Sequence, residues 1–104
     1  MAIFHVTYQH ADEQAWQENL MPHVQWLVAK LKEGSLRASG PLNGTDPRSA
    51  VLIVAAEDRE AAEAVLADDP YVINGAVTGK LITEWDPIFG AFNADSSRPG
   101  EIPA

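Results

Sequence analysis

The chain has 104 residues, 46% hydrophobic and 21% charged, with a formal net charge of −8 at pH 7. That length makes one domain with its own core, and the acidity argues against nucleic acid and anionic membrane surfaces, both of which want clustered Lys and Arg. With no cysteine, disulfides, thiol catalysis and Cys-type metal sites are excluded; no apolar run nears the ~20 residues of a membrane span and no positively charged stretch precedes an apolar one, so a cytoplasmic setting is expected.

Residues 2–8 are β-branched and aromatic with polar residues between, which predicts a strand. Ala2, Phe4, Val6 and Tyr8 take one face; Ile3, His5 and Thr7 take the other. Residues 10–20 are polar and acidic with Ala15, Trp16 and Leu20 apolar, enough for a helical turn or two, and His10 reads as solvent-exposed in a polar turn. Pro22 predicts a break, with the main helix over 22–33 and Gly34 as its C′ residue. Trp16, Leu20, Val24, Leu27 and Leu31 follow the spacing of a buried stripe, with His23 at its edge, about 60° from the centre at about 100° per residue.

A second strand is predicted over 36–42, then a turn-rich loop over 43–48. Residues 50–56 are apolar on both faces, the pattern of a central strand covered above and below. Asp58 is an N-cap candidate for a helix over 59–67. Asp69-Pro70 reverses the chain, because proline fixes its own φ and biases the residue before it away from the helical region. Two compatible roles are open to Asp69: cap of the short turn that follows, or partner of an imidazole. A fourth strand is predicted over 77–85, and from Asp86 onward Pro, Gly, Ser and Asn predict a tail over 91–104 that is flexible or contacts a second subunit.

The order β-α-β-β-α-β predicts an α+β, ferredoxin-like fold over residues 1–90: an antiparallel four-stranded sheet with both helices on one face. The other face is then bare and apolar, and a homodimer closing it, a dimeric α/β barrel-like assembly, is the expected partner arrangement.

Only the three histidines titrate near neutrality when unperturbed. His23, at a helix start, is the candidate base, and Asp69 is its candidate orienting carboxylate. Ser39-Gly40-Pro41 is either a strand-end kink or a close backbone approach to a small ligand. Together with Tyr71, Trp26 and His5 it makes the candidate substrate pocket, although His5 also reads as a packed or interface histidine. The histidines lie on separate elements without ligand spacing, so no metal and no cofactor is implied.

These pieces resemble the YCII-related (YciI-like) family of small ferredoxin-like proteins. The resemblance rests on the strand over 3–8, Pro22-His23, Leu31-x-x-Gly34, Ser39-Gly40-Pro41, and Ala67-Asp68-Asp69-Pro70-Tyr71-Val72 followed by Gly75. It spans about residues 1–88. It implies dimers, a catalytic pair matched here by His23 and Asp69, and, for a few members, dehydrochlorinase action on chlorinated aromatic rings. An arginine common in the family three residues before the histidine is Leu20 in this chain. The expected function is that of a small cofactor-independent enzyme of lyase, isomerase or dehydrochlorinase type, working on a small, ring-shaped substrate. The alternative is a non-catalytic dimeric module that binds a small molecule or serves as an accessory.

Overall fold

The computed structural model describes residues 1–102. Strand β1 (Ala2–His10) is followed by α1 (Glu13–Glu18), α2 (Leu20–Glu33), β2 (Leu36–Leu42), β3 (Arg48–Ala56), α3 (Arg59–Ala67), the single-turn α4 (Pro70–Ile73) and β4 (Gly79–Trp85). All strand pairs are antiparallel, in the order β2-β3-β1-β4, so β1 and β3 are central. This is the expected ferredoxin-like arrangement.

Local chemistry sets the element ends. Asp12 and Asp58 cap α1 and α3 by accepting from the backbone N–H groups of Ala15 and Ala61, which satisfies donors that a helix start leaves free. Gly34 ends α2 at φ +86° and donates to the carbonyls of Lys30 and Leu31, a left-handed position that costs glycine little. The core lies between the sheet and the helices. Phe4, Val6, Tyr8, Leu52, Val54 and Ile82 from the sheet meet Trp26, Leu66 and Tyr71 from the helical layer. Among the described residues no helix is long and apolar enough to cross a membrane.

Three expectations are corrected. The helical break falls at Asn19, so α2 begins at Leu20 and Pro22 sits in its first turn, where no intrahelical N–H bond is lost. A stripe counted from Trp16 through Val24 assumes one continuous helix, and the break changes its phase. The buried residues of α2 are therefore His23 and Trp26, while Val24 and Leu31 are exposed. Finally, β1 runs on through His10, which is 2% exposed rather than solvated. Continuing the Phe4, Val6, Tyr8 alternation by one more step places it on the core face.

On the helix-free face, Ile3, Ile53 and Ala55 form a second apolar cluster, and Phe92 packs on it from the segment after β4. Asp95 of the same segment accepts from Arg37 at 3.1 Å. The tail thus covers one end of this face; Leu81, on the same side by register, stays 63% exposed. The last two residues of the expected tail, 103–104, lie outside the described residues.

Candidate active site

The site forms where α2, α4 and β1 meet. Asp69 ends the connection between α3 and α4, and its own oxygen caps α4 by accepting from the Tyr71 backbone N–H at 3.0 Å. The same Oδ1 atom accepts from His23 Nδ1 at 2.8 Å. Its other oxygen accepts from the Tyr8 hydroxyl at 3.0 Å. Asp69 is fully buried, and its three donors come from two helices and the central strand. Cap and imidazole partner are realised together, because one carboxylate has acceptor capacity for both.

A neighbouring clamp holds this register. Asp68 accepts from Trp26 Nε1 at 2.8 Å and pairs with Lys30 Nζ at 3.2 Å, tying the end of α3 to the middle of α2. Burial opposes ionisation of Asp68, but the bonds from Trp26 and Lys30 outweigh it and hold the carboxyl below its usual range. Tying Asp68 in place brings Asp69 beneath His23.

Two aromatic rings fix the imidazole. Tyr71 stacks on His23 with centroids 3.8 Å apart and planes 12° apart, and Trp26 stacks beyond it at 5.7 Å. A carboxylate only accepts, so Nδ1 of His23 carries the hydrogen and Nε2 of the neutral ring is left as a base. Among the described residues no buried side-chain nitrogen or oxygen lacks a partner, and Nε2 bonds to no protein group; it therefore opens to the cleft that His23 lines. His10 repeats the arrangement. Its Nδ1 faces the Ala76 carbonyl at 2.7 Å, so Nδ1 donates, and the ring lines the same cleft. His10 also packs edge-on against Tyr71, with centroids 4.8 Å apart.

The cleft has a volume of about 260 Å³, room for about one ring when set against the roughly 300–1,000 Å³ of drug-sized sites. Ser39, Gly40 and Pro41 of edge strand β2 line it with Tyr71 and His23. Trp16, Leu27, Arg48, Ser49 and Ala50 complete the wall with His10. Two expected pocket residues fall elsewhere. Trp26 lies behind the His23 ring with its indole N–H committed to Asp68; its position on α2 follows from the break at Asn19. His5 pairs across the sheet with Ile53 and Thr83. Odd positions of β1 point to the helix-free face, so the sheet separates His5 from the cleft.

Burial, with the Asp69 charge adding to it, pushes the Tyr71 hydroxyl up to about 12. The same two causes carry Tyr8 further up. Both phenols therefore remain protonated donors near neutral pH. Tyr8, His10 and Arg48 are the site residues that sequence reasoning missed. Strand alternation signalled the first two; Arg48 carried no signal, because the loop over 43–48 hid the start of β3. Among the described residues no group of three or more His, Cys, Asp or Glu is placed to hold a metal ion.

A family model described as the YCII-related domain matches residues 1–86, in agreement with the motifs. No curated protein matches by sequence. Among solved structures, the chain is similar to the 5-chloro-2-hydroxyhydroquinone dehydrochlorinase of Burkholderia phenoliruptrix AC1100, in complex with 2,5-dihydroxybenzoquinone. The TM-score is 0.67 and the identity 19%, over 81% of this chain and 93% of that one. An uncharacterized NIPSNAP domain protein from Burkholderia xenovorans is similar with a TM-score of 0.55 and 17% identity, covering 88% and 97%. An antibiotic biosynthesis monooxygenase gives 0.54 and 15%, covering 81% and 96%. At these identities the likeness is one of fold.

Proposed function

The chain belongs to the YCII-related family, and we propose that it is a small proton-transfer enzyme of lyase or isomerase type, dehydrochlorinase included, acting on a hydroxylated ring. The observation that carries this reading is the 2.8 Å bond from His23 Nδ1 to a fully buried Asp69, with Nε2 left open to a ring-sized cleft. His23 Nε2 takes a proton from a ring hydroxyl or an acidic C–H of the substrate. In the keto form of the ring, a pair released from a C–H beside the carbonyl becomes a ring C=C, and a pair released from a hydroxyl becomes a C=O while the ring double bond shifts toward the leaving group. In either case chloride departs with its own pair from the saturated carbon that bears it. Asp69 keeps the imidazole oriented and offsets the charge it gains, as the carboxylate does in other acid/base dyads. Tyr8 holds Asp69 from the far side. His10 Nε2 accepts a hydrogen bond from a second hydroxyl, and Tyr71 can donate one to a ring oxygen. The similar dehydrochlorinase supports the choice of a chlorinated hydroxylated ring as the first substrate to test.

Because Asp69 is buried among three donors, His23→Gln is the cleaner variant and Asp69→Asn the shape-conserving one. Turnover of a panel of chlorinated hydroquinones and hydroxylated ring acids should fall by about 10²–10⁴ in either variant. The double variant should be no worse than His23→Gln alone, since an orienting group has nothing left to orient. A parent protein that turns over no member of the panel, with variants that only melt earlier, would favour the non-catalytic binding module instead.

The same reading takes the molecule as a cytoplasmic homodimer that closes the helix-free face. What supports the dimer is the exposed Leu81 beside half-buried Val51, Thr7 and His5 on a sheet face that the tail covers at one end only. Sedimentation at micromolar concentration should show twice the 11.3 kDa chain mass; a clean monomer overturns it.

A further inference from the structure

Among the described residues Arg48 is the single Lys or Arg lining the cleft, and no carboxylate lines it. Asp69, the nearest buried acid, is sealed behind His23. Elsewhere the chain is strongly acidic, with a net charge of −8, so a lone guanidinium in this wall is a local reversal of sign. At physiological salt the surrounding field is screened beyond about 8 Å, and the charge nearest to a bound molecule decides whether an anion is welcome.

The guanidinium is also held. Its carbon lies 3.8 Å from the centroid of the Trp16 ring, a stacking contact that fixes the plane of the group without cancelling its charge. Glu13 accepts from Nε alone at 3.2 Å, and both partners are substantially exposed, so the pair is screened and weak. Among the described residues no hydrogen bond engages the two terminal nitrogens. They form the edge that suits an oxyanion, which can be gripped by two parallel N–H bonds.

We propose that Arg48 is the specificity-determining residue of the cleft and selects a small ring bearing an oxyanion, a carboxylate or a ring phenolate. The ring lies against the apolar wall, its oxyanion on the free edge of Arg48 and an acidic proton toward His23 Nε2. This rests on the cleft being the substrate site, and it adds the charge class of the substrate.

The test reads equilibrium binding, by calorimetry or protein-observed NMR, for two matched probe pairs. Salicylate is compared with salicylamide for the carboxylate, and 4-nitrophenolate with 4-nitroanisole at mildly alkaline pH for the phenolate. The parent should bind the anion of at least one pair about tenfold more tightly than its neutral match, with the preference shrinking as salt is raised. Arg48→Gln should erase the preference and Arg48→Lys keep part of it, whereas Glu13→Gln should leave or strengthen it. Equal binding of anion and neutral match, or no binding of either anion at millimolar concentration, overturns the proposal. So does a preference that survives Arg48→Gln, or a Glu13→Gln variant that loses it, since the pair would then be merely structural. Preference without turnover of any panel member overturns the proposed catalysis alone; turnover without preference overturns this inference alone.

Discussion

Two carboxylates in this chain each gather at least three donors, and they sit in opposite circumstances. Asp69 accepts from His23, Tyr8 and Tyr71, and water does not reach it. Asp86, just after β4, accepts from the hydroxyls of Ser96 and Ser97 and the backbone N–H of Ser97, with Arg98 nearby, and it stands in solvent. Two of the Asp69 donors come from 46 and 61 residues away; the Asp86 donors come from 10 or 11. An equal count of hydrogen bonds therefore means different things. Asp86 ties a surface turn, where water replaces any partner that leaves. Asp69 joins a strand and two helices, and its removal would strand donors that water cannot serve.

The sharpest way to break this contrast is to remove each carboxylate. Asp69→Ala leaves the Tyr8 hydroxyl, the His23 Nδ1–H and the Tyr71 N–H without their acceptor, a loss of roughly 2–4 kcal/mol. For a domain of this size that lowers the melting temperature by about 10 °C or more. Asp86→Ala should leave melting unchanged within error. Tyr8→Phe comes next: it removes one of the three donors and keeps the ring in the core, so about 1–2 kcal/mol should be lost. Calorimetric melts of the three variants decide the matter. Equal losses at Asp69 and Asp86 would mean that donor count, not burial, sets the value of such a carboxylate.

The same contrast separates what was legible in the sequence from what was not. Alternation over residues 2–8 sorted Phe4, Val6 and Tyr8 from Ile3 and His5, because side-chain direction in a strand is a local property. Gly34 and Asp58 were legible for the same reason: caps are written within four residues. The Asp69 turn was local too, but its meeting with His23 rested on the fold and on family motifs. What the alternation could not say is that the Tyr8 hydroxyl ends on Asp69, since no local pattern encodes a contact across 61 residues. The stripe on α2 failed because a phase slip at Asn19 moves every later residue around the helix, exposing Val24 and burying Trp26. His10 was misplaced for want of one further step of the strand.

His10 gives the smallest expected effect and tests burial directly, because only one proton is involved. Burial holds its imidazole below the ordinary value; the Ala76 carbonyl and the Asp69 carboxylate pull it up, and His23 and Arg48 push it further down. In the unfolded chain the ring takes up a proton near the ordinary value of 6.5, whereas in the folded chain it does so only at lower pH. The folded state is then the poorer proton binder, so its stability is full above about 6.5 and declines as pH falls from there toward the folded value. The Asp68 contribution lies in a different window. Its folded carboxyl is held low, so that stability is present above the ordinary carboxylate value and lost only as pH falls through the lowered one. Melts of the parent and of His10→Asn, whose amide can keep the bond to Ala76, should therefore converge as pH falls from about 8 to about 5. Parallel decline of the two proteins over that range would show that the buried imidazole is protonated as readily as a solvated one, and the contrast between the two environments would fail at that group.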